Sequence, residues 1–134
     1  MTRRSHHGSA RQYPRTARLN ELLREILADE LERIDDDRLQ DIAITSVEIE
    51  GDLGAAMVYF DSLAGEDGDA EILEALDDLR VRLQSTINRQ ARMKRTPALS
   101  FAPDPAVRFG AHIESLLAEN PLVEQPRIAD DSES

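Results

Sequence analysis

The sequence contains no cysteine and no tryptophan, and its only lysine is Lys94. The absence of cysteine excludes disulfide bonds, thiolate nucleophiles and cysteine-ligated zinc, and it suits a reducing compartment. No apolar run approaches the roughly 20 residues that a membrane-spanning helix needs. The polar start of the chain also lacks the apolar core of a secretory signal. We therefore expect a cytoplasmic protein that has no membrane partner.

Charge is abundant, and its distribution along the chain is more informative than its total. The net charge of −11 over 134 residues, taken alone, argues against a polyanionic partner. By position, residues 1–25 carry +4, residues 26–79 carry −16, residues 80–95 carry +6 and residues 96–134 carry −5. The sequence therefore holds two basic segments inside an acidic protein.

The length predicts one domain with a tail at each end. We assign residues 1–14 to a basic, flexible N-terminal tail, because they mix arginine, histidine, glycine and serine. Residues 15–119 form the domain. Residues 120–134, rich in proline, aspartate and serine, form an acidic, disordered C-terminal tail.

The first half of the domain predicts a helix followed by two strands. Apolar residues recur at helical spacing across residues 16–34, with Thr16 as the N-cap. The segments Ile42–Ile49 and Ala55–Ser62 alternate as strands and are joined by a short glycine-containing loop, which predicts an antiparallel pair. The alternation slips at Ser46, which predicts a bulge.

The second half predicts a long helix, a short strand and a last helix. The helical pattern spans residues 72–94, and a break is expected near residues 85–88 because serine, threonine and asparagine are weak helix formers. Residues 99–101 alternate as a strand, and residues 109–117 form a short helix. The order predicts an α+β fold, with one small sheet and the helices on one face.

Catalytic motifs are absent from the sequence, and we expect no enzyme activity, no cofactor and no metal site. His112 is the only histidine outside the N-terminal tail, and its spacing is typical of a helix surface. Asp35, Asp36, Asp37 and Asp41 form an acidic cluster, so a metal-dependent hydrolase is the last-ranked hypothesis. The cluster lacks the spacing of an EF-hand loop and is more typical of a solvated turn.

The segment 80–95 favours an anionic partner. On a continuous helix, Arg82, Arg89 and Arg92 form one row, which Arg95 extends, away from the apolar face. Like charges at such spacing repel one another, so their concentration without any acid needs a reason. The guanidinium fork suits bidentate contact with phosphate. The alternative is a solvated basic face that balances acids elsewhere in the fold.

Five short segments together resemble the ribosome-binding factor A family, whose members assist assembly of the bacterial small ribosomal subunit. They are RTARL at residues 15–19, DRL at 37–39, VEIEGDL at 47–53, AMVYF at 56–60 and RMKRTPALSF at 92–101. The resemblance covers residues 15–117. It implies a type II KH-like domain with the order α-β-β-α-(kink)-α-β, a three-stranded sheet and helices on one face, followed here by the short C-terminal helix.

The resemblance also implies a function without catalysis. Such a protein binds the 30S subunit and its 16S rRNA during late maturation and rRNA processing, and we expect a monomer when it is free. The rRNA contacts are predicted for the basic residues of the first helix and of segment 80–95, namely Arg15, Arg18, Arg80, Arg82, Arg89, Arg92, Lys94 and Arg95. The alternative is a protein–protein adaptor that docks a basic partner on its acidic face.

The predicted kink departs from the family pattern. Relatives carry an Ala-x-Gly signature there, whereas the matching positions here are Leu79, Arg80 and Val81. Glycine supplies backbone freedom at such a break. Without it, the break is absent, lies toward residues 85–88, or is held by tertiary packing. The sequence leaves these three outcomes open.

Overall fold

A computed structural model describes the backbone of residues 2–119 and the side chains of residues 16–119. It divides into one unit that ends at Asp104 and a second that begins at Pro105. No helix in the described part of the chain is long and apolar enough to cross a membrane. The first unit contains, in order, α1 (Thr2–Arg33), a 3₁₀ turn (Asp37–Leu39), β1 (Ile42–Ile49), β2 (Ala55–Ser62), a second 3₁₀ turn (Gly65–Gly68), α2 (Asp69–Asp78), α3 (Arg80–Ala91) and β3 (Ala98–Pro103).

The first helix begins earlier than its sequence pattern predicts. Its buried stripe starts where we expected, with Leu23, Ile26, Leu27 and Leu31 facing the core. The prediction that Thr16 caps it is wrong, because the helix already starts at Thr2. The upstream turns carry no apolar stripe, so periodicity cannot detect them. The backbone of residues 2–14 is thus helical, and its assignment as a separate flexible tail stays a prediction, as does that of residues 120–134, which lie outside the described residues.

The three strands form one mixed sheet in the order β1-β2-β3. Both predicted strands of the first pair are confirmed, and they run antiparallel from Ile42 opposite Ser62 to Ile49 opposite Ala56. The predicted bulge is confirmed, since the register shifts between Ile44 and Ser46. β3 pairs with β2 in parallel, a direction that α2 and α3 make possible because parallel neighbours need a long crossover connection.

One face of the sheet is buried under the three helices of the first unit. Val58 and Phe60 at the centre of β2 are fully buried, as are Leu23 of α1 and Leu83 of α3. Burial of such a side chain contributes roughly 1.5–3 kcal/mol. The opposite face carries Glu48 and Ser100, which are exposed. The α+β fold with helices on one face is therefore confirmed.

Each edge strand donates a backbone N–H to a side-chain amide of a helix. Asn20 Oδ1 of α1 accepts from the Ile49 N–H of β1 at 3.0 Å. Gln84 Oε1 of α3 accepts from the Leu99 N–H of β3 at 3.0 Å. Because unpaired strand edges expose backbone donors, these contacts tie α1 and α3 to opposite edges of the sheet.

The predicted break between two helices is confirmed, and it lies at Leu79. This residue has φ −96° and ψ 2°, a bridge conformation that does not require glycine. Its N–H still donates to the carbonyls of Ala75 and Leu76, each at 3.1 Å. The fully buried Leu76 and Leu83 hold the two helices on either side. The kink is therefore maintained by tertiary packing, the third of the outcomes that the sequence leaves open.

The expectation of a break near residues 85–88 is wrong. Thr86 is buried inside α3, and its hydroxyl donates to the Arg82 carbonyl at 3.1 Å. A threonine that bonds the preceding turn in this way is tolerated within a helix. α3 then ends at Ala91, three residues before the end of the predicted pattern, with Arg92 in the left-handed conformation at φ 55° and ψ 41°.

The second unit consists of α4 (Pro105–Glu119) within the described residues. This helix begins four residues earlier than its apolar pattern. Proline is favoured at the first helical position, where its missing N–H has no partner to lose. The predicted last helix is confirmed.

Candidate nucleic-acid interface

The basic residues of segment 80–95 fall into two groups that differ in their contacts. Leu83, Thr86 and Ile87 anchor α3 in the core, which leaves Arg82 and Arg89 on its outer surface. Beyond Ala91 the chain turns into the loop that leads to β3. The predicted continuous row of arginines is therefore wrong beyond Arg89, because Arg92 and Arg95 lie in this loop and not on the helix.

Arg82 belongs to the first group, which makes intramolecular ion pairs. Its Nε donates to Glu30 Oε2 of α1 at 2.9 Å. The Glu30 side chain is only 7% exposed, and its second neighbour Arg33 lies farther away, at 3.8 Å. A buried carboxylate needs a compensating cation, so Arg82 joins α3 to α1.

Arg80 is also engaged within the protein. Its guanidinium pairs with Asp77 Oδ1 at 2.5 Å and lies 5.9 Å from the centre of the Phe101 ring. This cation–π contact joins the kink to β3. Val81, next in the kink, is 78% exposed and contributes nothing to the core. The roles of Leu79, Arg80 and Val81 in RNA contact stay predictions.

The second group consists of four exposed cations, and we call it the exposed basic segment: Arg89, Arg92, Lys94 and Arg95. None of the four makes an ion pair with a side chain of residues 16–119, whereas Arg80 and Arg82 both do. Because none of the four forms an ion pair with a described carboxylate, their charge is available to an external anion. A left-handed residue such as Arg92 reverses the chain direction, which sets the loop off from the helix axis.

The hairpin loop between β1 and β2 lies beside the exposed basic segment. A methyl group built on Gly54 would approach the Arg95 guanidinium within 3.1 Å. The Gly54 carbonyl accepts from the Ala98 N–H at 3.0 Å, and Asp52 Oδ1 accepts from the Gly54 N–H at 2.9 Å. These contacts fix the loop that carries Arg95 against the end of the sheet. Sequence reasoning missed this role, although a glycine two residues after an aspartate is a recognisable turn signal.

Two of the predicted rRNA contacts, Arg15 and Arg18, lie on α1. Arg18 is exposed, and it lies two residues before Asn20, whose side chain binds the last residue of β1. The bond of Asn20 places this part of α1 beside the last residue of β1, and the contact of Arg18 with rRNA stays a prediction. The side chain of Arg15 is outside the described residues.

Arg38 binds two of the carboxylates outside this end of the sheet, those of Asp36 and Asp78. Arg38 donates to both carboxylate oxygens of Asp36 and, at 3.2 Å, to Asp78 of α2. These hydrogen bonds lower the pKa of the Asp36 carboxyl below its usual value. Within residues 16–119, no three acidic or histidine side chains converge to form a metal site.

Comparison with known proteins gives one consistent result. The family model of ribosome-binding factor A matches residues 15–117. The ribosome-binding factor A of Rubrobacter xylanophilus is 37% identical over 106 residues, which cover 78% of this chain and 86% of that protein.

Two solved structures resemble the fold. The crystal structure of ribosome-binding factor A from Thermus thermophilus has a TM-score of 0.60 and 32% identity, covering 66% of this chain and 94% of that one. A homology model of the Thermus thermophilus factor, fitted into the cryo-EM map of its complex with the 30S subunit, has a TM-score of 0.57 and 32% identity, covering 67% and 96%.

Proposed function

Because the chain belongs to the ribosome-binding factor A family, we propose that it binds the small ribosomal subunit and its 16S rRNA during late maturation and rRNA processing. In this proposal it acts in the cytoplasm as a monomeric assembly factor without catalytic activity. The Thermus thermophilus factor fitted into the map of a 30S complex supports the choice of partner.

The observation that carries the proposal is the exposed basic segment. Four cations without ion pairs to residues 16–119 occupy the end of α3 and the loop that follows, in a protein whose net charge is −11. Arginine presents two parallel N–H donors to a phosphate, and it stacks on exposed bases. We infer that these four residues, with Arg18, contact the rRNA backbone.

Arg80 and Arg82 take a different part in this proposal. Each already donates to a carboxylate, so a phosphate would have to replace Asp77 or Glu30 as the partner. Replacement at Glu30 would leave a buried charge uncompensated, which is costly. We therefore assign Arg82 to the support of the interface and the exposed basic segment to the contact itself.

The acidic remainder of the protein restricts how it approaches RNA. Residues 26–79 carry −16, and repulsion from them opposes any orientation in which they face phosphates. Contact is governed by the local patch, since charges beyond a Debye length of roughly 8–10 Å are screened. We infer a single productive orientation, with the exposed basic segment toward the subunit.

Sucrose-gradient sedimentation with purified 30S, 50S and 70S particles tests the proposal. The test variant is R89Q/R92Q/R95Q, and the matched control R24Q/R33Q/R127Q changes the net charge by the same amount. Arg24 and Arg33 pair with the exposed carboxylates of Glu21 and Asp29, and loss of these pairs costs little. Arg33 is also the more distant partner of the buried Glu30, which keeps Arg82 at 2.9 Å in the control.

We expect the wild type and the control to travel with 30S particles and the test variant to remain at the top of the gradient. Circular dichroism serves as the check that both variants are folded. Retention of the folded test variant on 30S particles, or equal loss of both variants, would contradict the assignment of the interface.

A further inference from the structure

A groove lies at the other end of β1 from the exposed basic segment. It is bounded by the last turns of α1, the first 3₁₀ turn and the start of β1, and it encloses about 510 Å³. Its floor is apolar and consists of side chains from these elements, including Ala28, Leu31, Ile34 and Ile42. Ala28, Ile34 and Ile42 are only partly buried, so an apolar group that enters the groove finds a hydrophobic surface.

The rim of the groove is acidic and uncompensated. Glu32, Asp35 and Asp41 line it, all three are exposed, and none makes an ion pair within residues 16–119. The remaining charged residues of the rim are already engaged, because Asp36 accepts from Arg38 and Arg24 donates to Glu21. The groove therefore combines an apolar floor with three carboxylates that lack a cationic partner among the described side chains.

We propose that this groove binds an extended, lysine- and arginine-rich segment of a protein partner. An apolar side chain of the segment rests on the floor, and cations on either side pair with Glu32, Asp35 and Asp41. Charge complementarity favours this occupant over a nucleic acid, whose phosphates the rim repels. Binding of this kind gains both from burial of apolar area and from pairing of the free carboxylates.

The position of the groove lets the protein hold two ligands at once. Ile42 at the start of β1 lines the groove, whereas the Gly54 loop beyond the end of β1 lies beside Arg95. An eight-residue strand spans roughly 25 Å, at about 3.3 Å per residue. A basic protein segment and an RNA backbone therefore do not compete for the same surface, and the groove proposal does not depend on the RNA contacts.

Fluorescence anisotropy with a labelled nine-residue peptide tests the proposal. The probe alternates lysine and arginine with a central leucine, and a second peptide has serine in place of leucine. The test variant is E32Q/D35N/D41N, and the control E25Q/E48Q/E66Q removes the same charge from exposed positions outside the groove. Asparagine tolerates the left-handed backbone of residue 41, where φ is 66°, so D41N preserves the local fold.

At 150 mM salt we expect the test variant to bind the leucine peptide at least tenfold more weakly than the wild type, and the control variant to change by less than twofold. The serine peptide should bind the wild type at least fivefold more weakly. In ¹H–¹⁵N spectra of the wild type, the amides of Ala28, Ile34 and Ile42 should shift on addition of the peptide. Binding of naked 16S rRNA should be the same for the test and control variants.

If the test and control variants lost the same affinity for the leucine peptide, the peptide would be attracted by the net negative charge of the protein and not by the groove. That result would overturn the proposal. Shifts confined to other surfaces would do the same. The groove could instead hold the basic segment of a second copy of this protein. Sedimentation equilibrium of the protein alone tests whether such a dimer forms. A dimer that E32Q/D35N/D41N abolishes would contradict a partner of different sequence.

Discussion

Arg82 Nε lies 2.9 Å from the Glu30 carboxylate, across an interface between two helices, and the two residues are 52 positions apart in sequence. Glu30 is buried and Arg82 is half exposed. A glutamate on the core face of α1 therefore fixes the position of α3, the helix that leads into the exposed basic segment. Two residues that the sequence would count as a surface acid and a surface base form a structural contact.

The first prediction concerns this pair. Replacement of Arg82 by alanine leaves the buried Glu30 carboxylate without its main partner, and we expect a loss of about 1–2 kcal/mol in the free energy of unfolding. This is below the roughly 3–5 kcal/mol of a fully buried pair, because the Arg82 side chain is 52% exposed. Urea denaturation followed by circular dichroism measures the loss.

The double variant E30Q/R82A serves as the control, since a neutral amide is cheaper to leave unpaired than a carboxylate. We expect it to be more stable than R82A alone. Wild-type stability in R82A, accompanied by loss of 30S binding, would show that Arg82 contacts RNA and not Glu30.

The second prediction uses the backbone of Arg92. A residue other than glycine in the left-handed conformation costs roughly 1 kcal/mol, so R92G should raise the free energy of unfolding by about 0.5–1 kcal/mol. R92A removes the same charge without this gain. Both variants should weaken binding to 30S particles equally, because both lose one phosphate contact. Destabilisation by R92G, measured by urea denaturation, would contradict the geometry at the end of α3.

The third prediction tests the contact between the hairpin loop and Arg95. A methyl group in G54A meets the Arg95 guanidinium at 3.1 Å and the Asp52 carboxylate at 3.2 Å, whereas in G51A it meets nothing within 4 Å. We expect G54A to weaken 30S binding about two- to threefold, a change of ~0.5 kcal/mol. Its melting temperature should remain close to that of G51A. Identical 30S affinities of the two variants would show that the hairpin loop does not position Arg95.

The fourth prediction is a pH dependence of stability. Hydrogen bonds from Arg38 lower the pKa of Asp36 in the folded protein, so this pair stabilises the fold above the ordinary pKa of 3.8. The contribution is lost as the pH falls through the lowered pKa. Thermal unfolding between pH 5 and pH 2.5 should therefore show a shallower decline in D36N than in the wild type. D35N, at an exposed neighbouring carboxylate, should follow the wild type, and a D36N curve that coincides with it would rule out the contribution.

Local sequence signals predict the first two strands well. β-branched residues and the turn at Gly51–Gly54 define Ile42–Ile49 and Ala55–Ser62 to the residue, and the slip in alternation marks the bulge. The direction of β3 and the position of the helix break depend on tertiary packing. Leu79 looks like any other residue of an amphipathic helix, so the local sequence does not mark the break that its backbone conformation makes.

The candidate site, like the fold, can be predicted only in part from the sequence. Composition along the chain identifies the basic segment 80–95, but it gives all six cations equal weight. Their separation into paired and unpaired residues depends on partners that are distant in sequence, as Glu30 is for Arg82. One signal was available, because Glu30 follows the buried positions Leu23 and Leu27 at helical spacing, and a carboxylate on a core face requires a cation.

The dependence of 30S affinity on salt tests the central claim most directly. If the exposed basic segment and Arg18 neutralise about five phosphates, the logarithm of the association constant should fall with the logarithm of salt concentration at a slope of about −3.5 to −4.5. The slope should become shallower by about 2–3 in R89Q/R92Q/R95Q and remain unchanged in R24Q/R33Q/R127Q. A wild-type affinity that does not vary with salt, or a slope that the first variant leaves unchanged, would contradict the account.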